Sequence, residues 1–335
     1  MKTIKNILFK LDIKGNGIVN FDSSSQKYIH NTAKSPLYYR HDNISYSKKN
    51  FYGTAGEDDF RYEIKITPEC MKKAIFGENI IAQTSKIAHN DELLYAYLAS
   101  PTAITRGYLD TTRKEEVYNR NTSLKLHSAK QVCDAVPYIE TFSKSGYKKK
   151  NDGDSDKSDN TFYKKESVGD IRYESGGVID LKELQFISCD QVYGRYCFNP
   201  DKFDLYKMNY ELRFPESNLE LGYYQLITSS IDIPEYGIKL GESEMKLMIK
   251  GLLLKLLGME INRSSAYAHT AELKIKLVEN PLVDTKDSED NWITISSEAD
   301  IKNLDFNIHE YYELASENTL DSRKRMIEEF IEYTK

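Results

Sequence analysis

The sequence has few of the residues that usually announce chemistry. Its four cysteines, Cys70, Cys133, Cys189 and Cys197, form no CxxC pair and no finger-like spacing. Scattered cysteines outside a framework point to a reducing cytoplasm. The six histidines, His30, His41, His89, His127, His269 and His309, are dispersed, with no HxH or HxxxH pair to hold a metal. There is no GxSxG elbow and no GxxxxGK[ST] phosphate loop. The lone Gly15-Asn16-Gly17 follows a strand pattern but leads into another, so it lacks the context of a dinucleotide site. No run approaches the roughly 18 apolar residues of a membrane span. Residues 1–14 alternate lysine with apolar residues and read as a strand, not a leader. Acidic pairs such as Asp58-Asp59 and Glu115-Glu116 read as solvated surface. The expectation is a soluble cytoplasmic protein, not an enzyme, with no metal, no cofactor and no membrane partner.

What the chain does have is tyrosine, 25 against a single tryptophan in 335 residues. Tyrosine fills half-buried pleated surfaces, and its ring also stacks on bases. The net charge of −6 disfavours nucleic acid at face value, but it is unevenly placed. Residues 279–335 hold 15 acidic and 6 basic side chains, a net of −9, which leaves the rest at +3. A weakly basic body binds phosphate only if its cations converge.

Periodicity outlines the elements. Ile7, Phe9, Leu11 and Ile13 alternate with Leu8, Lys10 and Asp12 as a strand, and residues 18–21 read as its return. Phe60, Tyr62, Ile64 and Ile66 predict a further strand, and Pro68 opens a short helix ending near Gly77. Asn90 or Asp91 caps a helix with Leu93, Leu94, Tyr97 and Leu98 on one face, and Ser100-Pro101 stops it ahead of a loop over 102–106. Leu124 and Leu126 mark a strand with one polar face. Residues 138–175 read as a long hairpin with a mobile tip at 148–160, since a stretch without apolar residues cannot offset its ordering entropy. Gly176-Gly177 reads as a turn into a strand at 178–187. Tyr206, Met208, Tyr210, Leu212 and Phe214 read as another strand, and 221–233 as one more. Met245 to Leu257 is the strongest helix, with Gly258 as its stop. Leu273, Ile275 and Leu277 form a late strand. Met326, Ile327, Phe330 and Ile331 give a terminal amphipathic helix to the acidic segment 279–335. Together these predict an α+β fold, an antiparallel sheet backed by helices.

Cations gather twice. Arg106, Arg113, Lys114, Arg120, Lys125, His127 and Lys130 follow one another, with Tyr108 and Tyr118 among them. Phosphate-neutralising charges interleaved with rings suit an RNA groove, although a solvated polar face has the same composition. Asn262 and Arg263, with Ser264, Ser265 and Tyr267, could present a second phosphate contact after the strong helix, or form an ordinary polar loop.

The order of these parts resembles a known family. Leu93-Leu94-Tyr95-Ala96-Tyr97, Ser100-Pro101, Arg106-Gly107-Tyr108-Leu109, the basic strand at 124–130, the charged-tip hairpin and the Leu-rich helix before Asn262-Arg263 look like the repeating backbone subunit of class 1 CRISPR effector complexes. The likeness is first to the compact type I-F variant system and next to type IV. The resemblance implies a single modified RRM-like (RAMP-type) domain over 1–335 with finger insertions and a β-hairpin thumb. It also implies polymerisation along a guide RNA, target DNA pairing through that guide, and contacts with copies of itself and with other effector subunits. On that reading Arg106 to Lys130 lie along the guide backbone, while Lys148, Lys149, Lys150, Lys164 and Lys165 on the hairpin hold phosphates of guide or target. The aromatic signature of ordinary RRM sheets is missing, so recognition of backbone and shape is implied, and not of bases. Two alternatives stand beside it: a related RNA-processing endonuclease with His127 or His269 as general base, and a self-assembling structural protein that binds no RNA.

Overall fold

A computed structural model describes residues 2–17, 65–77, 90–111, 117–132, 138–146, 159–167, 169–190, 195–227, 233–263, 266–279, 291–317, 319–321, 323–325 and 328. It is an α+β fold of antiparallel sheets packed with helices. The short β1 (Thr3–Ile4) precedes β2 (Asn6–Asn16), an eleven-residue strand whose odd-numbered residues from Ile7 to Gly15 are buried. Next come β3 (Lys65–Ile66) and α1 (Pro68–Phe76). Thr67 caps α1, and Gly77 ends it at φ 77°, a left-handed conformation that glycine adopts without strain.

The helix α2 (Asp91–Leu98) is capped by Asn90 and buries Leu94, Tyr95 and Leu98, while Leu93 is exposed. Ser100-Pro101 ends α2 and also starts another helix, where a loop was expected. The Ser100 side chain accepts from the Ala103 amide, and Pro101 takes the first position of α3 (Pro101–Arg106). A small hairpin follows, β4 (Tyr108–Asp110) with β5 (Tyr118–Arg120), then β6 (Leu124–Leu126) and β7 (Ala129–Gln131).

The long hairpin is present as β8 (Tyr138–Gly146) and β9 (Asp159–Ser167), paired from Tyr138 with Ser167 to Gly146 with Asp159. It ends earlier than 175. The next strand, β10 (Asp170–Asp180), belongs to the main sheet and runs straight through Gly176 and Gly177, so no turn forms there. Both glycines are needed for close packing. A Cβ on Gly177 would lie 2.0 Å from the Lys125 carbonyl oxygen and 2.5 Å from the Phe9 ring.

Beyond β10 come α4 (Leu181–Gln185), β11 (Phe186–Asp190) and β12 (Arg195–Tyr196). The residues expected as a strand at 206–214 form α5 (Phe203–Glu211) and its C-terminal turn. Their alternation is coincidental. Tyr206, Tyr210 and Phe214 are buried at helical spacing, while Met208 and Leu212 are 54% and 74% exposed. Asn199 and Pro200, which open the preceding 3-10 turn, were the overlooked start signal.

The chain then gives β13 (Leu221–Leu226), β14 (Glu235–Lys239) and α6 (Glu242–Leu257), which buries Met245, Met248, Ile249, Leu252, Leu253 and Leu256. A hairpin of β15 (Glu260–Arg263) and β16 (Ala266–Val278) follows, then β17 (Ile293–Ile295), α7 (Glu298–Lys302), β18 (Asn307–Ile308) and β19 (Tyr312–Leu314).

The larger sheet runs β15-β16-β2-β10-β7-β3, with β17 on β16 and β6 on β10. One face packs on α1, α6 and the short helix α4, with α3 lying against α1 and α6. A second sheet runs β12-β11-β14-β13-β19. The acidic segment is therefore no loose tail: β17 joins the large sheet, β18 pairs with β1, and β19 edges the second sheet. The described residues between 317 and 328 are helical, and Arg323 there pairs with the buried Asp190 at 2.5 Å. The sequence-predicted return at 18–21, most of the strand at 60–66, residues 148–158 of the tip expected at 148–160, and Met326, Ile327, Phe330 and Ile331 lie outside the described residues, while Asp159 and Asn160 belong to β9.

The backbone approach at Gly177 gives a direct check. Gly177→Ala should lower stability by about 2–3 kcal/mol in urea unfolding, as overpacking does, whereas Gly169→Ala, with nothing within 4 Å of its Cβ, should be close to neutral. Gly251→Ala, inside α6 with equally open space, should stabilise by up to about 1 kcal/mol.

Candidate nucleic-acid interface

The basic cluster that the sequence presents as one run divides into two groups. Arg120 belongs to the core, only 5% exposed. Its Nε donates to the Ile104 carbonyl at 2.9 Å, one terminal nitrogen donates to Phe186 at 2.9 Å, and the other donates to Glu183 at 3.0 Å and Leu184 at 3.5 Å. Two of these carbonyls lie in α4 and another near the end of α3, where helix dipoles favour a cation. Tyr108 is also buried, its hydroxyl donating to the Cys197 carbonyl at 2.8 Å. Tyr118 is buried against Tyr95, with hydroxyls 3.4 Å apart. None of the three presents its side chain to solvent. As RNA contacts, Tyr108 and Arg120 are therefore corrected to structural residues.

Arg106 is half-buried and donates to the Gly77 carbonyl at 3.0 Å, closing the end of α1. Arg113, Lys114, Lys148, Lys149 and Lys150 lie outside the described residues. Lys164 and Lys165 are on β9, opposite Thr141 and Glu140, with only their backbone described. Asn262 and Arg263 end a strand in place of a polar loop, opposite Tyr267 and Ala266, and Asn262 is exposed.

The second group, Lys125, His127 and Lys130, is exposed and shares a sheet face with Asn262. On β2 the buried odd-numbered residues face the helices, so Lys10, Asp12, Lys14 and Asn16 point the other way. Register extends this outer face across the sheet. One row reads Asn262, Tyr267, Asn16, Asp170, and the next Glu260, His269, Lys14, Arg172. A third reads Glu272, Asp12, Glu174, Lys130, and a fourth Thr294, Lys274, Lys10, Gly176. Lys125 stands opposite Val178 beyond them.

Charges on this face largely answer one another. Arg172 grips Asp12 with two hydrogen bonds, at 2.5 and 2.8 Å. Lys125 meets Asp180 at 2.5 Å and Lys274 meets Glu272 at 3.0 Å. Lys10 lies 4.5 Å from the centre of the Trp292 ring. The salt bridges among the described residues leave out Lys14 and Lys130. The face therefore offers a few available cations, not a strongly basic groove. Sequence reasoning missed Lys10, Lys14 and Arg172, although the polar half of the first strand's alternation was their signal.

His269 on β16 and His127 beyond β6 are separated by β2 and β10, roughly 14 Å at ordinary strand spacing, so the two do not form a pair. Burial pushes the thiols of Cys189 and Cys197 up, which keeps them protonated at neutral pH. No group of three or more His, Cys, Asp or Glu suited to a metal occurs among the described residues. No described helix is long and apolar enough to cross a membrane.

A family model described as Type I-Fv CRISPR-associated protein Cas7fv-like matches residues 3–300, spanning the large sheet, α1 to α6 and the hairpin. The chain belongs to that family. It is thus of the Cas7 backbone-subunit kind of the type I-F variant CRISPR system, as the order of its elements suggested. No curated protein matches it.

Arg120 can be tested without any ligand. Arg120→Lys keeps the charge but cannot reach all its carbonyl partners. It should lower unfolding stability by about 2–4 kcal/mol, since each stranded buried carbonyl costs roughly 1–3 kcal/mol, as read from the urea midpoint.

Proposed function

We propose that this protein coats the guide RNA of a type I-F variant CRISPR effector as a repeating, non-catalytic backbone subunit that presents the guide for pairing with target DNA. The observation that carries this reading is the family match over residues 3–300. Two structural features support it. The outer sheet face carries Lys14 and Lys130 outside the salt bridges among the described residues, with Lys10, Lys125 and His127 beside them, which suits them to RNA phosphates. The hairpin β8–β9, about 30 Å long at ordinary strand rise, pairs with no other strand among the described residues. An isolated two-stranded ribbon is marginal in water, so a neighbouring copy or the RNA is its natural support. Contacts to phosphate and shape accept any guide sequence, as a guide-carrying subunit must. Its partners are then the guide RNA, further copies of itself and the other effector subunits.

Purified with a guide, the protein should form particles whose mass increases in steps with guide length, measurable by mass photometry. A monomer that retains no RNA at low salt would overturn the reading, and polymers that survive RNase would favour a structural protein instead. Replacing Lys14 and Lys130 together by Ala should reduce the slope of log affinity against log salt by about 1.4, from roughly 0.7 per single-strand phosphate contact. Replacing 151–158 by a short turn should leave assembly intact. Removing 138–167 should abolish ordered assembly while monomer binding persists, and ordered particles from that variant would exclude a thumb role.

A further inference from the structure

Tyr267 and His269 stand two residues apart on β16 and so share the outer face. Their rings lie 6.2 Å apart, within 16° of parallel. Both side chains are exposed, Tyr267 by 48%. Local backbone features position them. Gly15 on β2 lies beneath, where a Cβ would come 2.5 Å from the Tyr267 carbonyl oxygen, so its absence lets the two strands close there. A register shift between Thr270 and Glu272 then separates this end of β16 from the rest. Such bulges increase strand twist and re-aim side chains.

The surroundings select the ligand. Tyr267 is flanked across the sheet by Asn262 and Asn16, and His269 by Glu260 and Lys14. Beyond them lie Asp170 and Arg172, the latter held by Asp12. Acidic and basic side chains here nearly balance, so Lys14 can take one phosphate while the ring faces are left to an uncharged group. Two parallel π surfaces bordered by carboxamides suit a flat, polar-edged ring. The hairpin also begins here, since only residues 168 and 169 separate β9 from Asp170 in the Tyr267 row. That is a span of at most about 10 Å.

Resting on the RNA-binding reading above, we propose that Tyr267 and His269 form a stacking platform for a nucleobase of single-stranded RNA at the root of the hairpin, with Asn16 and Asn262 along the base's edge. Stacking of this kind tolerates any base, because each has a π face. The platform adds a base contact to a surface that otherwise touches phosphates, and it needs no bond formed or broken.

The test compares two single-stranded RNA probes of about eight nucleotides, one ordinary and one abasic at its central positions, by fluorescence anisotropy. With the ordinary probe, Tyr267→Ala should weaken binding by about 5- to 150-fold, the range for losing one stacked base. With the abasic probe, the same substitution should change nothing. Tyr267→Phe should behave as wild type, and the salt slope should stay constant throughout. Should alanine weaken the strand, Tyr267→Thr keeps strand propensity without a ring and should show the same loss. Wild-type binding of the ordinary probe by the Ala and Thr variants, or equal loss on both probes, would overturn the platform while leaving the backbone-subunit reading intact. Failure of the wild-type protein to bind either probe would overturn both.

Discussion

One guanidinium ties the end of α3 to α4 and to the first residue of the second sheet. Arg120 gathers carbonyls from the end of α3, from α4 and from the first residue of β11. Those elements lead respectively out of the helical layer and into the second sheet. Without the arginine, helix C-termini would meet in the interior with unpartnered carbonyls, which is costly where water cannot reach. With it, tyrosines pack closely around the junction: Tyr108, Tyr118 and Tyr206 are all buried nearby. The charge is surrounded by dipoles and not by a carboxylate, so its environment is polar without being an ion pair.

That arrangement also governs how the surface can work. Because the central arginine of the basic run turns inward, the cations left outside are sparse and mostly answered by carboxylates on neighbouring strands. Under the proposed function, a weakly basic sheet of this kind would gain affinity by repetition along a polymer. Many modest contacts, each screened by salt, add up when copies line up on one strand.

The sequence displayed the fold unevenly, and particular residues show why. Strands β2 and β16 and helix α6 were legible because one face of each is apolar at a single period. The helix at Phe203–Glu211 was not, since Met208 and Leu212 complete an alternating pattern although burial follows the helical spacing of Tyr206, Asn209, Tyr210 and Phe214. Ser100-Pro101 read as a stop because proline ends helices, yet the same pair is a good start. At the candidate interface, local sequence showed that cations cluster but not which of them turn inward. Arg120 and Lys125 differ by five positions and by the whole depth of the protein. Only strand register, a long-range property, brings Lys14, Lys130 and Asn262 onto one face.

Gly177 shows how such long-range order is secured. The β2–β10 ladder has eleven pairs, and many of its residues would tolerate a different partner. At this one point the Lys125 backbone and the Phe9 ring occupy the space of a side chain. A slip by one residue in one direction would force Val178 into that gap, and a slip by two would force Ser175 or Ile179. The missing methyl therefore acts as a key for alignment. It rejects displaced ladders during folding, and it fixes which lysines stand together on the outer face before any ligand arrives.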